Sequence, residues 1–100
     1  MYATIRRYKA KATPEMVRKV KEGFIPIISK APGFIAFYAI DSGAGELASV
    51  SVFETKAAAE DSNKAAADWV KKNNVTVGQA EKTVGEIIAH KTAQLKTQTV

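Results

Sequence analysis

Phe34-Ile-Ala-Phe-Tyr-Ala-Ile40, Asp41-Ser-Gly-Ala-Gly-Glu46 and Leu47-Ala-Ser-Val-Ser-Val-Phe53 are consecutive, and how they are read decides the fold. The first is a continuous apolar run, too short for a helix and too rich in aromatic and β-branched residues for a loop, so it predicts a strand buried on both faces. The second sets two glycines among short polar residues, which is the chemistry of a hairpin turn. The third is then an antiparallel partner strand, with Leu47 and Phe53 on one face and Val50 and Val52 on the other. The first strand divides in the same way into Phe34/Ala36/Tyr38/Ile40 and Ile35/Phe37/Ala39. A sheet with one wet face alternates cleanly between apolar and polar residues, and this hairpin does not. Both of its faces call for cover.

On the N-terminal side, residues 2–9 alternate as Tyr2/Thr4/Arg6/Tyr8 and Ala3/Ile5/Arg7/Lys9, which predicts another strand. Thr13 before Pro14 forms an N-cap with proline at the first helical position. Met16, Val17, Val20, Phe24, Ile27, Ile28 and Ala31 then share one face at helical spacing. Pro26 lies inside this stretch and removes a backbone bond, so the helix is expected to kink in its last turn or to break near Gly23 and restart. On the C-terminal side, Thr55 caps a second helix whose apolar face is Ala58, Ala59, Ser62, Ala65, Ala66, Trp69 and Val70, with Asn73-Asn74 at its end. Thr83 to His90 predicts a fourth strand, and Lys91 to Val100 a polar tail.

The predicted order is strand-helix-strand-strand-helix-strand. This is the ferredoxin-like α+β arrangement, in which both helices cover one face of a four-stranded antiparallel sheet. Residues 1–90 form one domain, and the uncovered sheet face is expected to meet a second copy of the chain. Each large apolar side chain buried in that way contributes roughly 1.5–3 kcal/mol, before the cost of association.

The chain has 100 residues, with 46% hydrophobic and 25% charged, which suits one globular domain and excludes general disorder. With no cysteine and a single histidine, His90, thiolate chemistry and multi-histidine zinc sites are excluded within one chain. The net charge of +5 is concentrated in residues 1–30, which carry eight Lys/Arg against Glu15 and Glu22. Such an excess attracts anions, and it also keeps a small domain soluble. The first residues alternate in polarity and contain no signal-like apolar run, and no apolar stretch is long enough to span a membrane, so a cytoplasmic location is expected. RNA-binding modules share this element order but stack bases on aromatics in their central strands. Here Ser49 and Ser51 occupy that place, so nucleic acid is not an expected partner.

Arg6-Arg-Tyr-Lys9, Ala31-Pro-Gly-Phe-Ile35, Ser49-Val-Ser-Val-Phe-Glu54 ahead of an alanine-rich helix, and Ala66-Ala-Asp-Trp-Val70 together resemble the antibiotic biosynthesis monooxygenase family. The resemblance covers roughly residues 2–90. It implies a dimeric α+β barrel built from two ferredoxin-like sheets. It also implies a pocket between helices and sheet in which an electron-rich phenol or quinol loses a proton and itself reduces dioxygen, without flavin, metal or other cofactor. The protein would exclude water, orient the substrate and stabilise the developing anion. Haem-degrading relatives are implied to carry an axial histidine on the second helix, and residues 56–73 contain none.

Under this reading the catalytic candidates are Arg6, Tyr38 and Trp69, and the substrate-binding candidates are Tyr8, Ser62 and Trp69. Arg6 lies about where the haem-degrading relatives place an asparagine. It stabilises an anion if it faces the pocket; otherwise it is a strand arginine pointing to solvent or paired with an acid. Trp69 and Ser62 are seven residues apart on one helical face, so they either line a cavity together or serve as a core filler and a hydroxyl bonded to the preceding turn. Tyr38 either donates a hydrogen bond or packs within its strand. His90 is the one imidazole available as a base, or else a surface or interface residue. The rival to an oxygenase is a non-catalytic dimer that binds a small hydrophobic molecule or has a structural or stress-related role.

Overall fold

Thr13 and Thr55 start the two helical layers as their positions predict. Their hydroxyls accept hydrogen bonds from the N–H groups of Met16 and Ala58, each at 3.1 Å. A computed structural model describes residues 1–75 and 80–93. Its elements run β1 (Tyr2–Lys9), α1 (Pro14–Lys19), a π-helical turn (Val20–Phe24), α2 (Ile25–Ile28), β2 (Phe34–Asp41), β3 (Glu46–Phe53), α3 (Lys56–Lys72) and β4 (Glu81–Glu86). The four strands form one antiparallel sheet in the order β2-β3-β1-β4, the ferredoxin-like arrangement, with the helices packed on one face. No helix among the described residues is long and apolar enough to cross a membrane.

The first helical stretch is interrupted just ahead of Pro26 by a π-helical turn, Val20–Phe24, and resumes as α2. Pro26 has no N–H to give to the Glu22 carbonyl, and its ring would crowd that group in a regular helix. The preceding turn widens instead, and the Ile25 N–H reaches back five residues to the Val20 carbonyl. The extra residue rotates the face that follows. Phe24 and Ile28 are buried as expected, whereas Ile27, placed on the same face by simple periodicity, is exposed; Val17 is exposed as well, but it lies in α1 ahead of the wide turn.

A second irregularity corrects the division of β2. Phe34 lies opposite Phe53, but the next paired residue is Ala36, opposite Val52, so Ile35 is the extra residue of a β-bulge. Phe34 and Phe37 thereby both turn towards the helices, with Phe34 meeting Phe53 edge to face and Phe37 meeting Phe24. The last strand also differs from expectation, spanning Glu81–Glu86 where Thr83–His90 was predicted. The pairing with β1 runs out where Tyr2 faces Glu86 and the Ile87 N–H bonds to the Met1 carbonyl, and no strand among the described residues lies beside the chain after Ile87. His90 is exposed past the strand end, and residues 94–100 of the expected tail lie outside the described residues.

The core is Phe24, Ile28, Phe53, Ala59, Ala66 and Trp69. The alanines let α3 lie close over β1, β3 and β4. Trp69 projects from that helix, and its ring centroid is 5.4 Å from that of Phe24.

Candidate functional site

Alternation along β1 points Thr4, Arg6 and Tyr8 towards the helices, and the pairing of Arg6 with Ser49 and of Thr4 with Ser51 sets two β3 serines beside them. Arg6 is 1% exposed. Its Nε donates to Ser49 Oγ at 3.1 Å and its Nη2 to Ser51 Oγ at 2.7 Å. Its Nη1 donates to Asn63 Oδ1 at 2.9 Å and, more weakly, to the Ser62 carbonyl at 3.4 Å and Ser62 Oγ at 3.5 Å. Asn63 Oδ1 also accepts from Thr4 Oγ1 at 3.0 Å, and Ser62 Oγ donates to the Ala59 carbonyl at 2.6 Å. Every acceptor around this guanidinium is neutral. Burial pulls the arginine pKa down, but a guanidinium keeps its proton in a protein. A buried cation without a carboxylate normally costs several kcal/mol, and among the described residues hydroxyl, amide and carbonyl oxygens, the Tyr8 hydroxyl included, provide its compensation.

Beside Arg6 opens a pocket between α1, the π-helical turn, α3 and the sheet. It is lined by Arg6 and Tyr8, by Phe24, Phe37 and Trp69, and by aliphatic groups including Val20, Leu47 and Ala66. It is half open to solvent at its mouth, and its inner lining is almost wholly apolar. Burial pushes the Tyr8 hydroxyl pKa up, and the neighbouring Arg6 cation opposes part of that rise, so Tyr8 stays a protonated donor near neutral pH. No carboxylate or imidazole among the described residues lines this pocket.

The predicted site residues separate. Arg6, Tyr8 and Trp69 meet at one pocket. Ser62 is buried behind it and holds Arg6, while its hydroxyl bonds to the preceding turn. Tyr38 does not join them: it is 55% exposed, opposite Val50 on the sheet face away from the helices, so a role in this pocket is corrected. His90 is likewise exposed and outside it. Sequence reasoning missed Ser49, Ser51 and Asn63. The signal was there: Ser49 and Ser51 share an alternation set with Leu47 and Phe53, and two hydroxyls on a core face imply a buried polar partner.

No protein-family profile matches this chain, and no curated protein matches it in sequence. Solved structures do match. SnoaB, a cofactor-independent oxygenase from Streptomyces nogalater, superposes with a TM-score of 0.68 at 10% identity, over 89% of this chain and 94% of that one. A candidate antibiotic biosynthesis monooxygenase from Deinococcus radiodurans gives 0.64 at 14% identity, over 94% and 99%. A mutant of MhuD with two manganese protoporphyrin IX bound per active site gives 0.65 at 14% identity, over 93% and 100%. The residues here do not fit a haem ligated by histidine in this pocket, because α3 carries no histidine and His90 lies outside the pocket. With a four-stranded antiparallel sheet under two helical layers and these superpositions, the chain has the fold of the antibiotic biosynthesis monooxygenase-type proteins.

Proposed function

We propose that this protein is a homodimeric, cofactor-independent oxygenase of an electron-rich aromatic or quinol-like small molecule. The observation that carries the reading is Arg6, a wholly buried cation with neutral partners, beside an apolar pocket roofed by Trp69. An ionised phenol or anthrone would find a flat apolar chamber for its rings and a fixed positive charge for its oxygen. That arrangement lowers the pKa of the bound substrate and needs no reorganisation as charge develops. The substrate anion then gives an electron to dioxygen and the two radicals join as a peroxide. The peroxide takes up the proton the substrate first lost, and loss of the remaining hydrogen from the same carbon with cleavage of the O–O bond leaves a carbonyl and releases water, so one oxygen atom goes to each product. The chain supplies the water-poor chamber, the orientation and the cation.

Dimerisation is proposed from the other sheet face. Ile35, Tyr38 and Ile40 are exposed there in β2, next to half-buried Val50, Val52 and Ile5. A second copy laid on this face would remove those side chains from water.

The test is oxygen uptake with a panel of hydroquinones and anthrones. Uptake above the uncatalysed rate is expected with at least one class, and it is expected to fall by about two to three orders of magnitude in Arg6→Gln, the usual effect of losing a fixed charge-stabilising donor. Uptake unchanged by that substitution would remove Arg6 from the chemistry.

A further inference from the structure

Helix α1 contributes no residue to the core. None of its six residues is buried, and it packs chiefly on the π-helical turn that continues it. Between α1 and the β2–β3 hairpin lies a cleft whose floor is Phe37, Ala39 and Leu47 and whose wall is Met16, Val17 and Val20. Val17 is 40% exposed there, so two apolar surfaces face each other across water. At the rim, Lys21 borders the cleft from the helical side and Asp41 from the hairpin, and no ion pair joins them among the described residues. Met16 and Val20 also belong to the wall of the pocket beside Trp69. We propose that α1 is a lid that swings about the end of the π-helical turn onto the hairpin, closes this cleft and the mouth of the Trp69 pocket, and is held shut by a Lys21–Asp41 ion pair.

Both ends of α1 are suited to such a movement. Phe24 closes the π-helical turn and is buried against Phe37 and Trp69, which fixes the pivot. At the other end the Ala10 N–H bonds to the Gly45 carbonyl at 2.9 Å, and residues 11–13 belong to no helix or strand, so hinge changes can be absorbed there. The body of α1 is held to α3 by an exposed bond from Lys19 Nζ to the Asn73 carbonyl at 3.3 Å, which water can replace. The catch is likewise in place. The Gly43 N–H donates to Asp41 Oδ1 at 2.9 Å and sets the carboxylate. Arg18 and Lys19 already face Glu22 and Glu15, at 3.8 and 3.5 Å, which leaves Lys21 as the cation of this stretch with no carboxylate beside it among the described residues. Closure would take Val17 and the cleft floor out of water while the charges stay at the wet rim. An exposed ion pair is weak, so the lid would open again readily. The proposal rests on the reading of the Trp69 pocket as a ligand site, which gives a lid something to enclose.

The chain has no cysteine and one tryptophan, so a bridge and its reporter are both unambiguous. In a Lys21→Cys, Asp41→Cys variant a disulfide within one chain requires the two Cα atoms to come within about 7 Å. Acrylamide quenching of Trp69 reads access to the pocket and is compared in the same sample before and after reduction. Mild oxidation should form the bridge and lower the quenching constant by about twofold or more, and reductant should restore it. In the unbridged protein, Lys21→Asp and Asp41→Lys should each raise quenching, with the ratio of open to closed lid changing by up to about fivefold, and the two reversals combined should restore the natural value. A bridge that does not form, or that forms without changing the quenching, would overturn the lid. Reversals without effect on quenching would overturn the latch. A bridge between chains, or quenching that varies with protein concentration, would overturn both by giving the cleft to a second copy. Reversible closure in a protein that oxidises none of the quinols tested would leave this inference standing while the oxygenase reading fails. Oxygen uptake undiminished by the bridge would do the reverse.

Discussion

Gly23 and Trp69 are in contact across the pocket rim: a Cβ placed on Gly23 would stand 3.1 Å from Trp69 Nε1. The glycine is there for close approach, since its backbone is not in the left-handed region. Gly23→Ala gains about 0.5–1 kcal/mol of helical preference, but it must tilt the indole by a few tenths of an ångström. The expected outcome is a stability change of less than about 1 kcal/mol together with a shifted Trp69 emission maximum and weaker ligand binding. An unshifted spectrum with unchanged affinity would show that the indole position is not set by Gly23.

Ser51 gives Arg6 its shortest hydrogen bond, at 2.7 Å, and is itself fully buried. Ser51→Ala removes an acceptor from a buried charge, and a hydrogen bond to a charged group is worth about 1.5–3 kcal/mol. Chemical denaturation should show a loss of that size. A loss below about 0.5 kcal/mol, the range of surface substitutions, would mean that the guanidinium finds another partner.

These residues show what could be read from the chain and what could not. The caps at Thr13 and Thr55, the Asp41–Glu46 turn and the alanine face of α3 are local chemistry and were legible. The β-bulge at Ile35 and the wide turn before Pro26 were not, because each adds one residue to a repeat and thereby moves every later side chain to another face. Phe34 and Ile27 were misplaced for that reason. Arg6 was legible as a candidate, but its burial depended on three oxygens, those of Ser49, Ser51 and Asn63, far from it in sequence. No spacing rule connects them.

Tyr8 gives a pH dependence with a definite sign. Burial raises the pKa of its phenol in the folded state, so the unfolded chain, with an ordinary phenol near pH 10, loses this proton first. Above that pH the unfolded state binds fewer protons, and stability must fall as pH rises towards the folded-state pKa. Denaturation midpoints should decline from about pH 9.5 upward, and Tyr8→Phe should flatten the slope. An identical slope in the variant would assign the decline to other groups.

The outer sheet face separates a dimer from a monomer without touching the pocket. Tyr38 is 55% exposed and Ile40 50% exposed in the single chain, so in a monomer their replacement by lysine should cost no more than about 0.5 kcal/mol. In a dimer the same lysines would bring four positive charges into one apolar interface and dissociate it. Sedimentation at micromolar concentration should therefore give a dimer for the natural chain and a folded monomer for the Tyr38→Lys, Ile40→Lys double variant, with the helical circular dichroism preserved. A natural chain that sediments as a monomer would remove the second copy, and Ile5, Val50 and Val52 would then have to meet some other partner.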